Sequence, residues 1–307
     1  MKETILVAGG TGFLGYHFIK KALKKGFKVI SISQNNPSKK RSLKKVKYIK
    51  SDICNFKILK KKLNINFSYV VNFSGYVDHG NKKKTYESHY IGCKNLVKIS
   101  LNKKIIRFIQ IGSSMEYGRK SSPQKENLHC RPLSVYGKAK FLASKYLLGL
   151  YKKKKFPVII LRLYQVYGPN QDLNRFIPVV INSCRKDLKF PCSSGEQYRD
   201  FLYVDDFVRA VFFSINNKEA IGKIINLGSG KPLKIKKIIQ KIVKIYKKGK
   251  PLFGKIKLRK EEMRITYPDI SNVKRILKWK PIISFKEGIL KTISYYNESS
   301  KSKFTNS

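Results

Sequence analysis

Cysteine is sparse in this chain, and acidic residues are few for its length. The five cysteines, Cys54, Cys93, Cys130, Cys184 and Cys192, contain no Cys-x-x-Cys pair, which argues against a disulfide framework and against a zinc site. No apolar run approaches the ~18 residues that would span a bilayer, so membrane insertion is not expected. Only 18 Asp and Glu stand against 67 Lys and Arg in 307 residues, a formal charge of +49. A field of that sign attracts nucleic acid, anionic lipid or phosphorylated small molecules. The lysines, however, fall in short runs (60–62, 82–84, 152–155) among abundant Ile, Asn, Phe and Tyr, the look of a coding bias toward A and T. Nucleic acid is therefore not the expected partner despite the charge.

What is present is a globular composition, with 42% hydrophobic residues, and a chain long enough for one large domain or two joined ones. Near the start, Gly9-Gly10-Thr11-Gly12-Phe13-Leu14-Gly15 follows the apolar run Ile5 to Ala8 and precedes a helical pattern. A strand feeding a glycine turn that opens a helix leaves backbone N–H groups and the positive helix end free for a pyrophosphate. Because these residues are expected to form a core strand and a phosphate turn, a removable signal peptide is not expected here, and the cytoplasm is the expected compartment.

Apolar runs at about 4–8, 28–32, 46–50, 69–73, 106–111 and 157–163 alternate with helix-period stretches. Repeated β-α units of this kind predict an α/β fold with a doubly wound parallel sheet of the Rossmann type. The predicted organisation is a dinucleotide-binding domain over 1–167, a smaller substrate lobe over 168–296 and a frayed tail over 297–307. Within the lobe, a short strand is predicted near 198–204, and 224–227 is placed to rejoin the main sheet. The polar loop 33–45 should be exposed, and 117–134 reads as a long functional loop.

Tyr136 and Lys140 stand four residues apart at the start of a helical pattern and so share one face. A phenol with an ordinary pKa of ~10 is a poor acid or base at neutral pH, but a nearby ammonium and an oxidised nicotinamide both favour its phenolate. Ser113 and Ser114 come off the end of the strand at 106–111, on the edge of the sheet where ligands sit in doubly wound folds. A serine hydroxyl there can polarise a carbonyl while Tyr136 exchanges the proton.

With Ser51-Asp52-Ile53, Val71 to Gly75, Arg162 to Pro169, Gly195 to Phe201 and Asn226 to Gly230, these segments resemble, in order, an extended short-chain dehydrogenase/reductase of the nucleotide-sugar epimerase, dehydratase and ketoreductase group. The resemblance implies Ser113, Tyr136 and Lys140 as the catalytic triad, and a dinucleotide held by Gly9, Gly12, Phe13, Leu14, Gly15, Ser33, Asp52, Ile53, Phe73, Ser74, Gly75, Tyr136, Lys140 and Gln165. It implies a nucleotide-sugar substrate met by Ser114, Gln165, Asn174, Arg199 and Arg259, with Arg264 competing for the last role. It also implies a homodimer formed through two helices of the first lobe, where Phe141, Tyr146, Leu150 and Tyr151 either meet the partner or fill the core.

Two departures narrow the chemistry. Where NAD-preferring relatives carry an acid after the second strand, this chain has Ser33, with Lys39-Lys40-Arg41 close by, which favours NADP over NAD. Where family dehydratases carry a glutamate, it has Met115, and Glu116, in an extended segment, would face away. Dehydration is thus disfavoured. The expectation is a 4-ketoreductase of a nucleotide-linked 4-keto-6-deoxyhexose, supported by the likeness of Phe190 to Gln197 to such reductases, with a 4-epimerase as the alternative. A non-catalytic RNA- or cofactor-binding relative is disfavoured because Tyr136 and Lys140 are both present.

Overall fold

The computed structural model describes residues 3–76, 78, 80–258 and 262–304. In chain order the first part runs β1 (Thr4–Ala8), α1 (Phe13–Lys24), β2 (Lys28–Ser33), β3 (Val46–Lys50), α2 (Phe56–Lys62), β4 (Tyr69–Asn72), α3 (Lys82–Tyr86), α4 (Gly92–Leu101), β5 (Arg107–Ser113), α5 (Val135–Lys154) and β6 (Val158–Leu163). It continues through β7 (Gln165–Tyr167), α6 (Phe176–Arg185), β8 (Lys189–Pro191), β9 (Tyr198–Tyr203), α7 (Val204–Asn216), β10 (Ile224–Leu227), β11 (Pro232–Lys234), α8 (Ile235–Tyr246), β12 (Lys250–Leu252), β13 (Ile265–Thr266), α9 (Ser271–Leu277) and α10 (Phe285–Phe304).

Seven strands form one sheet in the order β10-β6-β5-β4-β1-β2-β3. Every pairing in it is parallel. The order reverses between β1 and β4, the crevice where ligands lie in such sheets. Alternation along each strand sends side chains to two cores. Ile5, Val7, Ile109 and Leu161 pack with Phe18 of α1 and Phe207 of α7, whereas Leu6, Phe108 and Ile160 pack with Leu96 of α4 and Leu147 of α5. The run 224–227 does rejoin this sheet, beside β6.

Past β6 the sequence pattern is coarser than the structure. Beside the predicted strand at β9 stand β7, β11 and β13, and β8 pairs with β12. These added strands are two or three residues long, too short to leave a period-2 signal. The third core, built from Ile177, Ile181, Ile238, Ile242 and Ile289, closes this region. Where a frayed tail was expected from 297, α10 continues to Phe304, and Tyr246 donates to Asn297 Oδ1 at 2.7 Å.

The loop 33–45 is exposed over most of its length, as expected, but it is tied down at one point. A short 3-10 turn at Lys39–Arg41 brings the Arg41 guanidinium onto Asn170 O (2.6 Å) and Asp172 Oδ1 (2.7 Å), and Asn170 Nδ2 returns a bond to Lys40 O (3.2 Å). This strap joins the loop after β2 to the segment after β7.

Candidate active site

The glycine turn is built for close approach. Gly9 has φ +78°, and a Cβ there would lie 2.8 Å from Ser74 N and 2.9 Å from Phe73 C, so the turn rests directly on the end of β4. A Cβ on Gly15 would lie 2.4 Å from Gly9 O, whereas one on Gly12 would meet only that oxygen, at 3.4 Å, leaving its outer side open. The first bond of α1 runs from Tyr16 N to Gly12 O, so the N–H groups of Phe13, Leu14 and Gly15 precede the helical ladder. No acid stands in that first turn. These features fit a dinucleotide diphosphate held by N–H groups and the helix end.

The other expected cofactor positions surround this cradle in the fold. Ser33 ends β2 and its Oγ accepts from Thr11 N at 3.4 Å. Asp52 follows β3 and caps Cys54 N at 2.8 Å, while Ile53 is buried against Gly92. Phe73 packs its ring against Phe18 and Phe207, and Ser74 is hydrogen-bonded to Asn72 Oδ1. Gly75 presses on His89, whose ring stands edge-on to Tyr136 with centroids 4.8 Å apart.

Ser113, Tyr136 and Lys140 come together. Ser134 caps α5 by accepting from Gly137 N at 3.1 Å, and Gly137 sits so near Met115 O that a Cβ would be 2.5 Å away. That approach sets the first turn of α5 on the end of β5 and brings the Tyr136 phenol into the neighbourhood of the Ser113 hydroxyl, whose influence favours the phenolate. Lys140, one turn on and 4% exposed, donates from Nζ to Ile111 O at 2.7 Å, with Nζ 5.9 Å from the Tyr136 ring centre.

The electrostatics correct one expectation. Burial raises the Tyr136 pKa above its ordinary value, and the influence of the Ser113 hydroxyl offsets only part of this. The ammonium of Lys140 does not bring the phenol down; burial pulls Lys140 itself from 10.5 to about 8, against the attraction of Glu116 and Cys93. In the unliganded site the phenol is therefore held in its protonated form more firmly than a free phenol, and the lysine gives up its proton more readily than a free ammonium.

A second correction concerns Glu116. The segment after Ser113 is a 3-10 turn, Ser114–Glu116, instead of an extended stretch, so Glu116 turns inward and is fully buried. Its Oε1 accepts from Ser113 N (2.8 Å), and Oε2 accepts from Ser144 Oγ (2.9 Å) and Arg162 Nε (3.0 Å). The signal for this pair was available: Arg162 is the single charged residue of the strand Val-Ile-Ile-Leu-Arg-Leu, and a buried guanidinium requires a partner. Met115, by contrast, is 46% exposed beside the serine.

Of the expected substrate residues, Ser114 begins that 3-10 turn, Gln165 opens β7 with an exposed side chain, and Asn174 is exposed before α6. Arg199 on β9 is occupied within the protein, by the Glu262 carboxylate and by Met263 O at 2.7 Å. Arg259 lies outside the described residues. Among the described residues no group of three His, Cys, Asp or Glu is arranged for a metal, and no helix is long and apolar enough to cross a membrane.

The family model described as "NAD dependent epimerase/dehydratase family" matches residues 5–228. The chain belongs to that family. Among this family's curated members it is 28% identical to the UDP-glucuronate 4-epimerase of Thermodesulfobacterium geofontis, over 95% of this chain and 96% of that one. It is 24% identical to the CDP-abequose synthase of Salmonella typhimurium, over 94% and 97%. Among solved structures it superposes on the UDP-glucuronic acid 4-epimerase of Bacillus cereus in complex with UDP-glucuronic acid and NAD, with TM-score 0.87, 26% identity and coverage of 96% and 99%. The chain is thus an extended short-chain dehydrogenase/reductase of the NAD-dependent epimerase/dehydratase family, with the seven-stranded Rossmann-type sheet expected of it.

Proposed function

We propose that this protein is a reductase of a nucleotide-linked 4-keto-6-deoxyhexose, with NADPH as reductant. The observation that carries the reading is the side chain set beside Ser113. Met115 offers a thioether where elimination of water needs an acid or base, and the next carboxylate along the chain, Glu116, is locked to Arg162. Hydride exchange at a carbonyl needs neither.

When bound, the nicotinamide supplies the hydride. Tyr136 gives its phenolic proton to the sugar oxygen, a task suited to a phenol that burial keeps protonated. Ser113 Oγ donates to the same oxygen as negative charge develops on it. Lys140, an acid of pKa about 8, is strong enough to return a proton toward Tyr136 and to hold the cofactor ribose. Arg199 would have to leave Glu262 to meet a substrate diphosphate, a bidentate task that suits a guanidinium.

The preference for NADPH is supported by the missing carboxylate at Ser33 and by a cleft of about 490 Å³ between the loop after β2 and α6. Asn35, Ser38, Lys40, Arg41 and Arg185 line it, a setting suited to a phosphate on the adenosine ribose. For the homodimer, a shallow hollow of about 350 Å³ on α5, lined by Tyr90, Leu142, Tyr146 and Leu150, supports contact through that face.

A 4-epimerase is the second reading, favoured by the epimerases among the relatives. It needs a phenolate in its first step, which the raised Tyr136 pKa opposes in the unliganded protein. The test is cofactor oxidation by purified protein. Consumption of NADPH only when a nucleotide 4-keto-6-deoxy sugar is added supports the reductase. Interconversion of UDP-hexoses with no net change in cofactor would replace it with the epimerase.

A further inference from the structure

The buried carboxylate behind the serine takes no part in the proton path above, yet it touches every element that carries the triad. We infer that Glu116, clamped by Arg162, is the positioning residue that aims the Ser113 hydroxyl at the reacting oxygen. The inference rests on the Ser113, Tyr136 and Lys140 reading.

The geometry is specific. Oε1 holds the backbone N–H of Ser113 itself, and Ser113 Oγ accepts from Met115 N at 3.2 Å on the same turn. With Oγ already accepting from that N–H, the hydroxyl proton is left to donate away from the turn. Oε2 reaches Ser144, four residues past Lys140 on α5, so the same carboxylate fixes the catalytic helix against the strand end. Arg162 arrives from β6, where its register partner is Gly112. A Cβ at Gly112 would lie 2.6 Å from Glu116 Oε1, so only glycine leaves room for the carboxylate at this place. From the far side the Tyr117 ring covers the guanidinium at 4.5 Å, and the Tyr117 hydroxyl donates to Asn226 Oδ1 on β10 at 2.7 Å.

Glu116 is 0% and Arg162 2% exposed, so the pair does nothing for solubility. Buried ion pairs are often replaceable by apolar residues with no loss of stability, and their attested use is to fix one arrangement. Here that arrangement is the orientation of a hydroxyl donor. The Glu116 charge also raises the pKa of both Tyr136 and Lys140, which adds an observable that packing alone would not supply.

The experiment compares Glu116→Gln and the double replacement Glu116→Met with Arg162→Met, each against Ser113→Ala and Tyr136→Phe. Glu116→Gln is expected to lower kcat by roughly tenfold or more, with KM and cofactor affinity within about threefold, because a hydroxyl donor matters most in the transition state. The activity limb that belongs to Tyr136 should move to lower pH, since a charge that raised its pKa is gone. The double variant, which leaves no unpaired buried charge, should fold as the parent does and still show the kcat loss. A kcat within about twofold of the parent and an unmoved limb in the double variant would overturn the inference. If Ser113→Ala and Tyr136→Phe also retain activity, the fault lies in the triad reading instead.

Discussion

Replacing Lys140 with Met should make the unliganded protein more stable at neutral pH while ending turnover. The lysine is buried with its charge, and the fall of its pKa from 10.5 to about 8 corresponds to about 3 kcal/mol of disfavour for the ammonium at about 1.4 kcal/mol per tenfold. Methionine has similar length and no charge to desolvate. The loss is one hydrogen bond, Nζ to Ile111 O, but that carbonyl keeps Gln110 Nε2 at 3.0 Å, so no buried acceptor is orphaned. The net gain is about 1–3 kcal/mol, or a Tm rise of about 2–6 °C. Its pH dependence is fixed in sign. Below pH 8 folded and unfolded chains both hold the proton, and the parent carries the full penalty. Between about 8 and 10.5 the folded lysine has released it while the unfolded one has not, so the parent gains stability as pH rises. The difference between variant and parent should therefore be largest at pH 7 and narrow through pH 8–10. Urea unfolding of both proteins at pH 7 and pH 9.5, without cofactor, measures it. A variant less stable than the parent at pH 7, or a gap that does not narrow, would refute the reasoning.

Tyr136→Phe should reduce turnover by at least about a thousandfold with cofactor affinity changed only a few-fold, because the proton path alone is removed; single-turnover kinetics and equilibrium dialysis separate the two. Gly9→Ala should cost more than about 2 kcal/mol and weaken cofactor binding by tenfold or more, since φ is +78° and the new methyl would meet backbone atoms of Phe73 and Ser74 that cannot swing aside; thermal unfolding with and without cofactor checks it. Lys40→Ala combined with Arg185→Ala should raise KM for NADPH at least about fivefold more than KM for NADH, and equal effects on both would remove the cleft from cofactor choice.

The strands of the main sheet, the glycine turn and the Tyr136–Lys140 face were legible because each obeys a local periodicity: strand alternation, a turn that only glycine fits, a one-turn helical spacing. The family motifs then placed Ser113 with them. What sequence alone misjudged depends on side chains far apart in the chain. Glu116 was read as facing away from the site on the premise of an extended segment, whereas a 3-10 turn rotates it inward, behind Ser113, onto Arg162, 46 residues away. Arg199 reads as a free cation, yet a loop 63 residues on brings Glu262 to it. The effect of Lys140 on Tyr136 failed for a different reason: desolvation of the half-buried phenol and of the buried lysine is the first cause of each shift, and burial depth is a property of the packed fold.

The strap formed by Arg41 with Asn170 and Asp172 has a kinetic consequence. It ties the loop after β2 to the segment after β7 through the Asn170 carbonyl and the half-exposed Asp172 carboxylate. If the adenosine of a cofactor rests against that loop, loosening the clasp by Asp172→Ala should quicken cofactor departure more than it alters the chemical step.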